Sequence, residues 1–291
     1  MKKCSWCGKE YEDGATCCVL DGTALDNPNA TPPILAADVG VPPPLPAEGI
    51  TDVSETKAAP EGFWTDRHMR IFEVVLVCVI AFGGSILGSV FIFVGMRSGS
   101  SGGGVAGWVV SGLHEIACLG LLWYVLRRRS RSFSDLGFSW ARMDLAWSLL
   151  LWVVGDWAYY LVYLAIHFAG LNSTSAAAAS ERVGNLLFGK GVSIVNFGFA
   201  FLNPFFEELI VRAYVMTEVK LLTNNAARAV LVSTFLQTSY HFYQGAPMAI
   251  ADGAMFMLFS IYYARTNRIA PVILAHMFND LAGTISYLGR H

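Results

Sequence analysis

Long apolar segments constrain the fold of this chain more than any other feature. A helix needs about 20 mostly apolar residues to cross a membrane. Only 14% of the residues are charged and the mean hydropathy is +0.48, whereas soluble domains carry about 25% charged residues. We identify seven candidate spans, at about residues 71–95, 105–126, 144–168, 192–217, 227–246, 247–264 and 270–288. The sequence therefore predicts an all-α, polytopic transmembrane bundle of about seven spans in a lipid bilayer.

The positive charges between these spans predict the orientation of the bundle. If the spans alternate in direction, one side of the membrane receives most of the basic residues: Arg67, Arg70, Arg127, Arg128, Arg129, Arg131, Arg142, Lys220, Arg228, Arg265 and Arg268. The other side receives only Arg97, Arg182, Lys190 and Arg290. Cytoplasmic loops carry the excess of lysine and arginine. We therefore expect the N-terminus to be cytoplasmic.

The chain divides into three regions. Residues 1–26 form a short polar module, and residues 27–62 form a linker rich in proline and alanine. Such a linker stays extended and does not build a core of its own. Residues 70–291 form the membrane domain.

The polar module contains a candidate zinc site. Cys4 and Cys7 have the C-x-x-C-G spacing of a zinc knuckle, and Cys17 and Cys18 follow. The pattern resembles a zinc ribbon without its second C-x-x-C pair, so the fourth ligand is Cys17, Asp21 or none. So few residues cannot build a stable core, and a metal would supply the folding energy. The alternative is a degenerate ribbon that binds no metal.

Ionisable side chains interrupt three of the apolar segments. Charges at membrane depth are costly, so they indicate a functional site by default. Two carboxylates, an arginine and two histidines in this setting are typical of a hydrolytic site, although a polar network that only joins helices is the alternative. The candidate catalytic residues are Glu207, Glu208, Arg212, His241, His276 and Asp280.

The positions of these residues predict that they meet. Glu207, His241 and His276 lie roughly 15, 20 and 10 Å from the cytoplasmic ends of their segments, at about 1.5 Å per helical residue. They can therefore share one layer of the bilayer. Glu208 and Arg212 are four residues apart, so they lie on one helix face and can form an ion pair.

Residue types alone leave two mechanisms open. Peptide hydrolysis needs a base for the water, donors for the oxyanion and a proton for the leaving amine. In the first mechanism, Glu207 and His241 activate a water without metal. In the second, Glu207, His241 and His276 bind zinc and a further carboxylate is the base.

The order of these motifs resembles that of a known family. The CAAX-protease and bacteriocin-processing membrane proteases carry three such motifs on separate spans, which here read Glu207-Glu208-x-x-x-Arg212, His241 and His276-x-x-x-Asp280. The resemblance covers a core at about residues 190–288. It implies that Glu207 activates water with His241, that Arg212 holds Glu208, and that His276 and the residue at 280 form the oxyanion hole.

Two positions depart from the family pattern. Gln237 stands where the second motif usually has an aromatic residue. Asp280 stands where the prenyl endopeptidases have asparagine, and an ionised aspartate cannot donate to an oxyanion. Asp280 could instead orient His276 so that an imidazole N–H remains as the donor. The aspartate favours a bacterial relative, in a bacterial-type cell membrane, over a dedicated prenyl-protein protease.

The sequence thus predicts an intramembrane endopeptidase with a glutamate-activated water. Its expected partners are the lipid bilayer and a protein or peptide substrate, with no nucleic acid. The alternative is a non-catalytic membrane scaffold that keeps the protease fold and binds a partner protein.

A zinc measurement separates the two ends of the chain. We predict that the whole protein binds one zinc ion through Cys4, Cys7 and Cys18, with Zn–S distances of about 2.3 Å. A shortened protein that begins at Phe63 should lose this zinc and keep its hydrolytic activity. The reason is that Glu207 is the one motif carboxylate left free of Arg212, so no second carboxylate serves a zinc-bound water.

Elemental analysis and peptide hydrolysis, with and without a chelator, provide the measurement. Stoichiometric zinc in the shortened protein, together with activity lost to the chelator, would instead favour His241 and His276 as zinc ligands.

Overall fold

The computed structural model describes residues 2–3, 10–13, 15, 66–95, 104–171, 176–189 and 191–290. Two short strands, β1 (Lys2–Lys3) and β2 (Glu10–Tyr11), pair in antiparallel register. The expected zinc ligands Cys4, Cys7, Cys17 and Cys18 and the linker at 27–62 lie outside the described residues, so the zinc module stays a prediction.

Helices form the rest of the described chain. They are α1 (Asp66–Phe93), α2 (Gly104–Arg128), α3 (Asp144–Phe168), α4 (Ala176–Phe188), α5 (Ile194–Glu207), α6 (Thr217–Thr223), α7 (Ala226–Ser239), α8 (Ala246–Thr266) and α9 (Ala270–Leu288). A π-helical segment, Glu208–Met216, joins α5 to α6. Short 3₁₀ turns lie at Phe133–Leu136 and Phe242–Gln244.

The predicted all-α membrane bundle is confirmed, with five candidate spans in the described chain where about seven were predicted. In the described part of the chain, five helical stretches are long and apolar enough to cross a membrane: α1, α2, α3, the continuous stretch Ile194–Thr223, and α8. Their exposed faces carry large apolar side chains, which suits contact with lipid. The protein is therefore an integral membrane protein.

The predicted span at 227–246 differs from the structure. Helix α7 has 14 residues and ends at Ser239, which is short of the roughly 20 residues that a crossing needs. The chain then turns back through Phe242–Gln244 and through Gly245, whose φ is +99°. A positive φ favours glycine, so Gly245 permits the turn from α7 into α8 although the segment remains apolar. His241 consequently lies in a turn and not inside a helix.

Helix α4 was not predicted. It is 13 residues long and lies between α3 and α5 in the chain. Tyr287 of α9 holds it in place, since the Tyr287 hydroxyl oxygen lies within hydrogen-bond distance of Asn185 Oδ1 (2.7 Å) and of the Gly189 carbonyl oxygen (2.9 Å). Its sequence of alanines and polar residues is too short and too polar to indicate a membrane-spanning helix.

The stretch Ile194–Thr223 lies at the centre of the bundle. Every residue of its π-helical segment is buried, and α5 packs between α2 and α9. Pro204 is within α5 and lacks the N–H of an ordinary helical residue. Wider π turns inside a helix are frequent at functional sites. Here the change from α to π geometry falls between Glu207 and Glu208.

Ion pairs join the helix ends on the predicted cytoplasmic side. Glu218 of α6 is buried and bonds Arg70 of α1 (3.2 Å) and Arg131 after α2 (2.6 Å). Glu73 of α1 is also buried and bonds Arg129 (2.5 Å). These contacts fix α1 and α2 against the central stretch.

Gly137 connects the loop before α3 with the start of α9. It follows the turn at Phe133–Leu136 with a φ of +77°, and its carbonyl accepts a hydrogen bond from the Ile269 N–H (3.3 Å). A Cβ atom at this position would lie 1.8 Å from the Asn267 carbonyl oxygen. Both the backbone conformation and the space therefore require glycine.

We expect Gly137→Ala to lower the thermal unfolding temperature in detergent. The left-handed backbone alone costs about 1–2 kcal/mol for a residue with a side chain, and the clash adds to that cost. Gly88→Ala is the matched control, because a Cβ there meets nothing within 4 Å and alanine favours helix. Equal unfolding temperatures for the two variants would contradict the structural role of Gly137.

Candidate active site

The two adjacent glutamates lie where α5 passes into the π-helical segment. Glu207 is 7% exposed and Glu208 is fully buried. The surrounding polar groups come from α7, from the turn after α7 and from α9. The structure thus brings together side chains that are far apart in the sequence.

Glu208 is the most strongly held carboxylate of the site. Arg212 donates from Nη1 to its Oε2 atom, so the expected ion pair is present. His276 Nδ1 lies 2.7 Å from Glu208 Oε1 and donates to it, and Gln237 Nε2 lies 3.4 Å from the same oxygen. Three partners on one buried carboxylate keep its charge compensated away from water.

Arg212 is itself fully buried. Its Nη2 atom donates to the Phe256 carbonyl at 3.3 Å. The guanidinium also lies over the rings of Phe256 and Phe259, at 5.4 and 5.5 Å from their centres. Cation–π contacts of this kind stabilise a desolvated arginine, so α8 supports the ion pair.

Glu207 is bound through a single carboxylate oxygen. Its Oε2 atom accepts from Gln237 Nε2 (2.9 Å) and from the Tyr240 hydroxyl (2.8 Å). In the described part of the chain no side chain donates to Oε1. Sequence reasoning placed Gln237 four residues before His241 and noted it as a departure from the family, but it gave Gln237 no role at Glu207 and missed Tyr240. The sequence feature that could have indicated both residues is an amide and a tyrosine close before His241 in an apolar segment.

His241 lies next to this pair in the turn after α7. Its Nδ1 atom is 2.8 Å from the Gln237 carbonyl oxygen. A carbonyl can only accept, so Nδ1 carries the proton and Nε2 is left as an acceptor when the ring is neutral. The ring lies between those of Tyr240 (4.8 Å) and Phe256 (4.9 Å). Among the described residues, no direct hydrogen bond joins His241 to Glu207.

His276 and Asp280 face the site from α9. His276 Nε2 lies 3.6 Å from Asp280 Oδ1, which is too long for a hydrogen bond. Asn203 Nδ2 lies 3.4 Å from the other Asp280 oxygen. The expectation that Asp280 orients His276 therefore differs from the observed geometry, in which Glu208 holds the ring through Nδ1.

Two further carboxyl groups lie close to the site, and sequence reasoning gave them no catalytic role. Glu115 of α2 interacts electrostatically with Glu207, His276 and Asp280. Asp252 of α8 interacts with His241 and His276. Both side chains are buried, and the Glu115 Oε2 and Asp252 Oδ2 atoms have no hydrogen-bond partner in the described chain. The site is therefore rich in acidic groups.

A metal could be held only by a suitable group of side chains. Within the described ranges, no three or more histidine, cysteine, aspartate or glutamate side chains have such an arrangement. Both ring nitrogens of His276 face carboxylates, Glu208 on one side and Asp280 on the other.

The comparison with protein families agrees with this geometry. Residues 190–282 match the family model described as Type II CAAX prenyl endopeptidase Rce1-like. The predicted family resemblance is confirmed over this range. The match begins just before α5 and ends inside α9, so it contains every predicted catalytic residue. It supports a membrane-embedded peptidase acting on a peptide substrate. No curated protein and no solved structure matches the chain.

We expect Glu208→Ala to destabilise the protein by about 3–5 kcal/mol, because it leaves Arg212 buried without its partner. The double variant Glu208→Ala/Arg212→Ala should recover part of that stability. It should not recover activity, because His276 has still lost the acceptor that orients its ring. Thermal unfolding in detergent is the measurement.

Glu181→Ala is the matched control for this pair, because Glu181 is exposed on α4. Its unfolding temperature should equal that of the wild type. A double variant that melts no higher than either single variant would show that the Glu208–Arg212 pairing is wrong.

Proposed function

We propose that the protein is an intramembrane endopeptidase in which Glu207 activates the water that attacks the peptide bond. The observation that carries this proposal is the burial and the one-sided hydrogen bonding of the Glu207 carboxylate. It is a buried carboxylate with two donors on Oε2 and none on Oε1 among the described residues. Oε1 can therefore accept a proton from a water molecule placed beside it.

His241 is proposed as the second group that holds this water. The Gln237 carbonyl fixes the ring and leaves Nε2 as an acceptor. Tyr240 joins the two groups, because its hydroxyl bonds Glu207 and its ring packs against that of His241. After the attack, Glu207 carries the abstracted proton and can give it to the leaving amine.

His276 is proposed to stabilise the oxyanion. Glu208 accepts from Nδ1, so Glu208 sets the direction of the ring. With both ring nitrogens protonated, a form that the flanking carboxylates of Glu208 and Asp280 favour, the Nε2–H group is the donor for the reacting carbonyl. Asn203 is a further amide donor near this position, through its contact with Asp280.

The hydrogen bonds that the site residues already make favour the glutamate mechanism over a zinc mechanism. Glu208 is bound by Arg212 and His276, and His276 uses Nδ1 for that bond. A zinc site made from Glu207, His241 and His276 would need a ring nitrogen of His276, whereas Nδ1 is bonded to Glu208 and Nε2 faces Asp280. The proposal therefore keeps Glu207 as the base without a metal.

The substrate is proposed to be a protein or peptide at the membrane. The matched family description names CAAX prenyl endopeptidases, whereas Asp280 in place of asparagine favours a bacterial relative. We propose a bacterial-type cell membrane with a cytoplasmic N-terminus. Prenylated and unmodified peptides are both needed in the assay to establish the substrate class.

A non-catalytic scaffold is the rival function. A scaffold needs the helix bundle to bind its partner. It does not need a base and histidines in fixed orientations, or an ion pair that holds them. The hydrogen bonds on Glu207, Glu208, His241 and His276 support the enzyme, because each fixes one side chain of the proposed reaction.

We expect Glu207→Gln to abolish peptide hydrolysis while the protein still folds and inserts. The amide keeps the shape of the side chain and loses the base. The measurement is cleavage of a peptide library, prenylated and unmodified, by purified protein in detergent, with product masses identifying the bond. Glu181→Gln is the matched control and should keep wild-type activity, because Glu181 is exposed on α4.

The same assay tests the rival. Wild-type cleavage in Glu207→Gln would falsify the role of Glu207. No cleavage of any peptide by the wild type, with retained capture of a membrane protein by both proteins, would favour the scaffold.

A further inference from the structure

Two donors converge on one oxygen of Glu207. Gln237 comes from α7 and Tyr240 from the turn that follows it, and both bond Oε2. A carboxylate with one oxygen held twice has little freedom to rotate. The direction of Oε1 is thereby fixed by residues outside the predicted catalytic set.

Helix α1 holds the ring and the backbone carbonyl of Tyr240. The Phe82 ring stacks on the Tyr240 ring at 4.9 Å with an angle of 4° between the planes. The Ser89 hydroxyl donates to the Tyr240 carbonyl at 2.5 Å. Phe93 packs edge-on against Phe242 in the same turn. Helix α1 lies outside the matched range 190–282, so this support comes from the chain's own preceding region.

The Gln237 amide has a determined orientation. Its side chain is fully buried, and one end faces the carboxylates of Glu207 and Glu208. Carboxylates accept and do not donate, so the NH₂ group must be at that end. Gln237 thus bridges the proposed base and the oriented carboxylate. An aromatic ring, which the family usually has here, could not make this bridge.

We propose that Gln237 and Tyr240 are positioning residues that clamp Oε2 of Glu207 and so direct Oε1 toward the attacking water. The inference rests on the proposed function of Glu207. It also explains the departure at Gln237, because a polar residue there supplies one of the two donors. Neither residue is proposed to touch the substrate.

The test measures kcat and KM separately for Tyr240→Phe, Gln237→Met and the double variant, with a peptide that the wild type cleaves. Each single variant should lower kcat about 10-fold or more, which corresponds to about 1.4 kcal/mol or more of barrier height, because Oε1 is no longer directed toward the water. KM should stay unchanged, because the substrate contacts are untouched. The double variant should lose more than the product of the two single losses, because in each single variant the remaining donor still restrains Oε2 in part.

Tyr263→Phe is the matched control. Tyr263 is also a fully buried tyrosine, and its hydroxyl lies 2.9 Å from the Leu136 carbonyl oxygen and 3.3 Å from the Ala213 carbonyl oxygen. This variant should lower the unfolding temperature and leave kcat at the wild-type value. The control thus measures how far the loss of a buried hydroxyl changes the unfolding temperature and kcat when Glu207 keeps both of its donors.

The outcomes separate this inference from the proposed function. If Glu207→Gln is inactive while the single and double variants keep the wild-type kcat, the clamp is wrong and the role of Glu207 stands. An effect on KM alone, or a fall in kcat no larger than that of Tyr263→Phe, also overturns the clamp. Full activity in Glu207→Gln removes the basis of both proposals.

Discussion

The buried carboxylate of Glu208 is the contact on which the rest of the site depends. It joins Arg212 of its own helix, His276 of α9 and Gln237 of α7. A charge in this position without partners would cost several kcal/mol. The network therefore serves stability and orientation together, since the same bonds that neutralise Glu208 also direct the His276 ring.

The turn after α7 is the second determinant of the site. A helix that continued through Tyr240 and His241 would carry these side chains around its axis and away from Glu207. The chain instead reverses at Phe242–Gln244, and α1 holds the turn through Phe82 and Ser89. Helices outside the family match thus contribute to the geometry of residues inside it.

Acidic groups outnumber their cationic partners in the interior of the bundle. Arg212 is committed to Glu208, whereas Glu115 and Asp252 each keep one buried oxygen without a partner in the described chain. Carboxylates in a low-dielectric interior influence each other strongly. The donors of Gln237 and Tyr240 on Glu207 are therefore suited to holding a base in place among like groups.

The fold class and most of the site residues follow from the amino-acid sequence. Apolar length predicted α1, α2, α3 and α8 within a few residues, because a bilayer sets the length of a crossing helix. The cost of charge in lipid marked Glu207 and Glu208.

The orientation of these groups depends on the packing of the helices. The sequence predicted His241 inside a helix and assigned the support of His276 to Asp280, whereas the structure has a turn and uses Glu208. It also gave no sign of α4 or of the Tyr240 hydroxyl on Glu207. Helical spacing relates residues within one segment, but contacts between segments depend on where each helix ends and how it is rotated in the packed bundle.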